Sequence, residues 1–143
     1  MKCVNEMKMT LDSKSINEGF ARVAVSAFVA SLDPNIEELT DIKTAVSEAV
    51  TNCVVHGYAE KEGKIYITVS IYEKDLVRIK IRDKGVGIED IERAMEPLFT
   101  TAGGERAGLG FAVMESFTDK VRVKSAPDKG TTVVLEKRIR GKR

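Results

Sequence analysis

Residues Ile65, Ile67, Val69 and Ile71 alternate with Tyr66, Thr68, Ser70 and Tyr72. A period of two with apolar residues on one parity predicts a strand with one buried face. Val77, Ile79 and Ile81 repeat the pattern after a polar break at residues 73–75, so the two runs read as an antiparallel hairpin. Residues 121–125 and 131–136 form a second hairpin across Asp128, Lys129 and Gly130, and residues 6–11 a short edge strand.

Helical spacing governs the stretches between. Ser15 with Glu18 is a capping-box signature, and Ile16, Phe20, Ala24, Ala27 and Phe28 then recur at helical intervals as the expected core stripe. Asn35 and Glu38 open a longer helix. Its apolar stripe is Ile36, Leu39, Ile42, Val46, Ala49, Val50 and Cys53, and Gly57 stops it. A short helix is expected near residues 89–94 and another over 111–117; residues 97–110, with four glycines, predict an irregular, mobile segment. Helices on one face of a mixed, mainly antiparallel sheet make a two-layer α/β sandwich of the α+β class.

The length of 143 residues suits one domain, 1–143. With a net charge of +1 there is no global field to favour nucleic acid or membrane, and no segment reads as a membrane span. Cys3 and Cys53 form no C-x-x-C pair or disulfide framework, which suits a reducing, cytoplasmic compartment. The basic end KRIRGKR, about 137–143, reads as a solvated tail rather than a binding site.

Three polar groups interrupt this patterning. Glu48, Asn52 and His56 lie four apart on the long helix and share a face. They form either a solvated stripe or a site, in which Asn52 offers Mg²⁺ a neutral oxygen and Glu48 takes a proton from an attacking hydroxyl. Asp83 continues the inward parity of Val77, Ile79 and Ile81, so its buried carboxylate needs a partner, such as the exocyclic amine of a base. Gly85 and Gly87 follow it; they give a tight turn or let backbone approach a flat ligand. The run 106–110, RAGLG, opens a helix whose N–H groups suit phosphate, with Arg106 placed to meet a terminal phosphate. No Walker loop and no Rossmann fingerprint occur.

The order E-x-x-x-N-x-x-x-H, D-x-G-x-G, G-x-G before a helix and G-T-T in the last strand resembles the GHKL (Bergerat-fold) ATPase superfamily. EAVTNCVVHGY, RDKGVGIEDIE, PLFTT, ERAGLGFAVMESF and EGFARVAVSAFVASLDP further resemble the sporulation anti-sigma-F factor family of endospore-forming bacteria. That resemblance implies a dimeric, cytoplasmic protein that holds sigma factor F inactive and phosphorylates a serine of an anti-anti-sigma factor with ATP, leaving ADP. It casts Glu48 as general base and Asn52 as Mg²⁺ ligand. Asp83 reads adenine, with Gly85 and Gly87 beside the base and Thr131 assisting. Arg106 contacts the γ-phosphate; Gly108, Leu109 and Gly110 cradle phosphates. Thr100 and Thr101 begin a lid over residues 100–105, and His56 caps its helix. Arg22 is either a snorkelling surface arginine or, by the resemblance, a contact for sigma and partner. Phe20, Phe28, Cys53 and the methionines read as core. Rival readings are a binding module that uses ATP only to set its shape, a histidine-kinase catalytic domain, for which the first helix offers no phospho-acceptor histidine, and a related general-stress regulator.

Overall fold

The computed structural model describes residues 1–59, 61–88 and 105–141, with backbone alone for 105–109. Five strands form a sheet: β1 (Cys3–Asp12), β2 (Lys64–Tyr72), β3 (Leu76–Asp83), β4 (Lys120–Ser125) and β5 (Thr131–Arg138), in the order β1-β2-β3-β5-β4. Every described pairing is antiparallel, so no mixed sheet is needed. β1 is the edge strand the sequence predicts, but longer. The helices are α1 (Ile16–Val29), α2 (Ile36–Asn52) and α3 (Glu105–Phe117). The helix expected at 89–94 lies outside the described residues.

Alternation holds through β2 and β3. Ile65, Ile67, Val69, Ile71, Val77, Ile79 and Ile81 are all 2% exposed or less and meet Ala45, Val46, Ala49 and Val50 of α2 in one core. Fully burying such side chains contributes about 1.5–3 kcal/mol each. Phe111 and Met114 of α3 enter the same core, as do Val133, Leu135 and Ile139.

α1 turns the other way from expectation. Its buried face is Ala21, Val25 and Val29, while Ile16 and Phe20 are 82% and 58% exposed. Both faces of the helix are apolar, so periodicity alone does not choose between them. The face with smaller residues lies inward, Phe28 packs at the margin, and Ile16, Phe20 and Val23 form an exposed stripe. Ile36 is likewise exposed, as the first residue of α2 beside its cap.

The two expected helix starts differ. Asn35 and Glu38 form a complete capping box: Glu38 N–H donates to Asn35 Oδ1 at 2.7 Å and Asn35 N–H to Glu38 Oε1 at 3.0 Å. Ser15 makes no side-chain cap: its backbone is already helical and the Glu18 N–H donates to its carbonyl at 3.2 Å, while the Glu18 carboxylate accepts the Ser47 hydroxyl and lies 3.9 Å from Arg22 Nε, tying α1 to α2.

The basic end is no solvated tail over its described part. Lys137 pairs with Asp41 at 3.4 Å and Ile139 is buried. The N–H groups of Arg140 and Gly141 donate to Glu38 at 2.6 and 3.1 Å, so the chain end completes the cap of α2.

Candidate functional site

α2 carries Glu48 and Asn52 one turn apart, then widens into a π-turn, Cys53–Gly57, closed by Tyr58 N–H to Cys53 C=O at 2.9 Å. π-turns inside helices concentrate at functional sites. Here the turn breaks the simple four-residue register between Asn52 and His56. α2 therefore ends at Asn52, and Gly57 closes the π-turn that follows.

Both amide atoms of Asn52 are buried and find no hydrogen-bond partner among the described residues. Leaving a buried polar group unsatisfied costs roughly 1–3 kcal/mol, a cost that a ligand supplying the partner would remove. The amide oxygen is a hard neutral donor that suits Mg²⁺, which keeps waters and phosphate oxygens as its other ligands. Among the described residues no cluster of three or more His, Cys, Asp or Glu forms a protein cage for a metal. The residues present thus fit a metal carried in with a phosphate ligand.

α3 crosses α2 at this pair. A Cβ added at Gly110 would lie 3.1 Å from both Asn52 amide atoms and 3.4 Å from Glu48 Oε2. α3 begins at Glu105, earlier than predicted, so 106–110 lies in its first turns. Each glycine there costs about 1 kcal/mol against alanine, offset by the close crossing and by the anchorage of Phe111 and Met114. The free N–H groups of a helix belong to its first four residues; Gly110 contributes the space a side chain would fill. The side chains of Arg106 and Leu109 are outside the described residues, as is Gly108 beyond its helical backbone. Thr100 and Thr101 lie outside altogether.

Asp83 ends β3 at 3% exposure, as its parity predicts. Its Oδ1 accepts the N–H of Gly85 at 2.9 Å and of Thr131 at 3.3 Å, and the Cys53 thiol donates to the carboxylate. Burial pushes the Asp83 carboxyl above the usual range against the lowering pull of those donors. Burial, then the Asp83 charge and hydrogen bond, raise the Cys53 thiol well above its usual value. A Cβ at Gly57 would stand 2.6 Å from Asp83 Oδ2. Gly87, at φ 77°, has the Ala126 carbonyl 1.9 Å from where its Cβ would be. These glycines admit close approach of protein backbone and carboxylate, and at Gly87 this is the tight turn that the sequence offered as one of its two readings.

Thr131 is buried, and its hydroxyl lies 2.8 Å from Ser125 Oγ. Ser125 donates to Gly130 C=O at 2.9 Å and accepts Ile88 N–H at 2.7 Å. Ser125 having one proton, Thr131 is the donor between them and keeps only acceptor lone pairs for other partners. Tyr58 and Ser125 went unassigned in the sequence; Cys53 is buried as the core residue its helical stripe predicts, but its bond to Asp83 was not foreseen.

Arg22 lies apart from this pocket, on the outer side of α1 with its side chain 45% exposed. Beside it, Ser15, Glu18, Ser47, Thr51, Val54 and Val55 line a cleft of about 380 Å³ between α1 and α2.

The sheet, the polar face of α2 and the buried aspartate at the end of β3 define a class of nucleotide-binding domain. Residues 12–137 match the model of the histidine kinase-like ATPase domain. The fold is similar to the RsbU and RsbW domains of a Mycobacterium tuberculosis protein (TM-score 0.69, 22% identical, 95% of this chain and 32% of that one). It is also similar to the mycobacterial sensor histidine kinase MprB (TM-score 0.56, 17% identical, 93% and 99%). The chain thus spans about a third of the first of these structures; at such identities the likeness is one of fold. In sequence it is 52% identical over 138 residues to the anti-sigma F factor of Clostridium novyi, covering 95% of this chain and 96% of that protein. It is 55% identical over 140 residues to that of Thermoanaerobacter pseudethanolicus, covering 97% of each. The chain belongs to the anti-sigma F factor family.

Proposed function

We propose that this protein binds Mg-ATP along the polar face of α2, holds a sporulation sigma factor, sigma F, inactive, and phosphorylates a serine of an anti-anti-sigma factor. The observation that carries the nucleotide part is the buried, unsatisfied amide of Asn52 beside Glu48 and Gly110. Asn52 would hold Mg²⁺, which when bound neutralises charge on the phosphates. Asp83, fixed through Oδ1, offers its second oxygen to the adenine amine. Gly85 and Gly87 shape the loop beside the base, and Thr131 offers lone pairs.

For transfer, Glu48 accepts the proton of the serine hydroxyl as its oxygen bonds to the γ-phosphorus and the bond to ADP breaks. Arg106 supplies positive charge to the phosphoryl oxygens; Gly108 and Leu109 lie in the helix start that faces phosphate, with Gly110 behind them, and Thr100 and Thr101 belong to the covering lid. The exposed α1 stripe of Ile16, Phe20 and Val23, with Val4 on the β1 edge, supports a protein-binding or self-pairing surface, and thus a homodimer.

The test is transfer of labelled γ-phosphate from Mg-ATP to the anti-anti-sigma protein of the same genome, with Glu48→Ala as control. Label on a partner serine, lost in the control while ATP affinity stays, supports the kinase. Transfer at the normal rate by Glu48→Ala removes the base role, and an unlabelled partner despite ATP binding leaves a nucleotide-gated binding protein.

A further inference from the structure

The loop that presents Asp83 is held by a side chain that no motif assigns. The Tyr58 hydroxyl accepts the backbone N–H of Lys84 at 2.7 Å and donates to the Lys64 carbonyl at 2.5 Å. Its proton is committed to one partner and a lone pair to the other. The ring is seated where a Cβ on Gly63 would stand 2.4–2.5 Å from three of its atoms. Its backbone N–H closes the π-turn onto Cys53, and its carbonyl accepts Lys61 N–H at 2.9 Å. Tyr58 therefore bonds three segments: the end of the helix bearing Glu48 and Asn52, the start of β2, and the residue between Asp83 and Gly85.

We infer that Tyr58 is a positioning residue for base recognition: its hydroxyl fixes the backbone at Lys84 and so aims the second oxygen of Asp83 at the purine amine. The inference rests on the reading of Asp83 as the adenine contact. The geometry favours it because Lys84 is exposed and its N–H has no other partner among the described residues. Without the phenol that amide would turn to water, and the nearest remaining ties on the loop would be Gly85 N–H on Asp83 and Val86 N–H on Gly57 C=O at 2.8 Å, with none on Lys84 itself. A residue that touches no ligand would then set selectivity.

The test measures affinities of the full chain for ADP and for IDP, which has a carbonyl in place of the amine, in wild type, Tyr58→Phe, Gly63→Ala and Asp83→Asn. Tyr58→Phe keeps the ring and loses both hydrogen bonds; it should weaken ADP about 5–10-fold, leave IDP within twofold and speed amide exchange at Lys84 at least tenfold. Gly63→Ala keeps the hydroxyl but displaces the ring, and should show the same selective loss. Wild-type ADP preference in Tyr58→Phe, or equal weakening of both nucleotides, overturns the inference. If Asp83→Asn keeps the preference for ADP, the reading of Asp83 itself fails and takes the inference with it; if only Asp83→Asn abolishes the preference, the pocket stands and Tyr58 has no part in it.

Discussion

Asp83 Oδ1 accepts the backbone N–H of Thr131 at 3.3 Å, so the last strand fixes a carboxylate presented by β3. That carboxylate is buried, with its pKa raised chiefly by desolvation. An acid with a raised folded pKa favours the native state most below its unfolded pKa, near 3.9. The benefit is lost as pH rises from there through the folded value. Asp83→Asn keeps an oxygen for Gly85 and Thr131 and removes the buried charge. It should raise Tm at neutral pH by a few degrees while nucleotide binding falls at least tenfold, a stability–function trade-off that thermal melts and calorimetry would check.

Glu38 has the opposite sign. Burial alone would raise its pKa, but the N–H groups of Arg140, Asn35 and Gly141, with Lys137 nearby, outweigh that and hold it below the usual range. Its contribution is present above the unfolded Glu value, about 4.3, and disappears as pH falls through the lowered one. Glu38→Gln should flatten the acid limb of the stability curve in that window. Glu38→Ala should cost about 2–4 kcal/mol in urea unfolding, because it leaves several N–H donors unpaired.

Gly57→Ala tests the packing beneath the carboxylate. The new methyl would meet Asp83 Oδ2 at 2.6 Å and displace it. ADP affinity should fall at least tenfold, with a stability loss of about 1–3 kcal/mol from overpacking. Unchanged ADP binding would place the base contact elsewhere.

The β2–β3 turn carries Lys74 and Asp75 at φ 64° and 59°, left-handed positions that Asn followed by Gly fits best. Lys74→Asn with Asp75→Gly should add about 1 kcal/mol to unfolding free energy and leave nucleotide affinity as it is. Denaturant titration gives the first quantity and calorimetry the second.

Arg22→Glu reverses a charge on the exposed face of α1 and sets two carboxylates one turn apart with Glu18. The helix should lose only about 0.3–0.5 kcal/mol, while sigma-factor affinity falls at least tenfold and ATP affinity stays. Unchanged sigma affinity in calorimetry would remove Arg22 from the interface.

The strands were legible because strict alternation of β-branched residues has one solution, and Asp83 inherited its burial from that parity. The Asn35–Glu38 box was legible because both partners are local. Phe20 was misplaced because α1 is apolar on two faces, and only the finished core selects one. The Ser15–Glu18 box did not form: Ser15 is itself helical, and the Glu18 carboxylate finds Ser47, 29 residues on. The bonds of Tyr58 and Ser125, and the N–H donors on Glu38, join residues whose proximity exists only after folding. The order of motifs pointed to the family that the comparisons show, whereas the contacts that support the candidate site are written in tertiary structure.

The clasp between Glu38 and Arg140 spans 102 residues. At synthesis rates of about 5–20 residues per second, α2 waits roughly 5–20 s for the donors that complete its cap. The Asn35 box, formed within one turn, keeps the helix start satisfied meanwhile. Growing chains thus form the start of the helix bearing Glu48 and Asn52 well before residues 140 and 141 are made and can donate to Glu38.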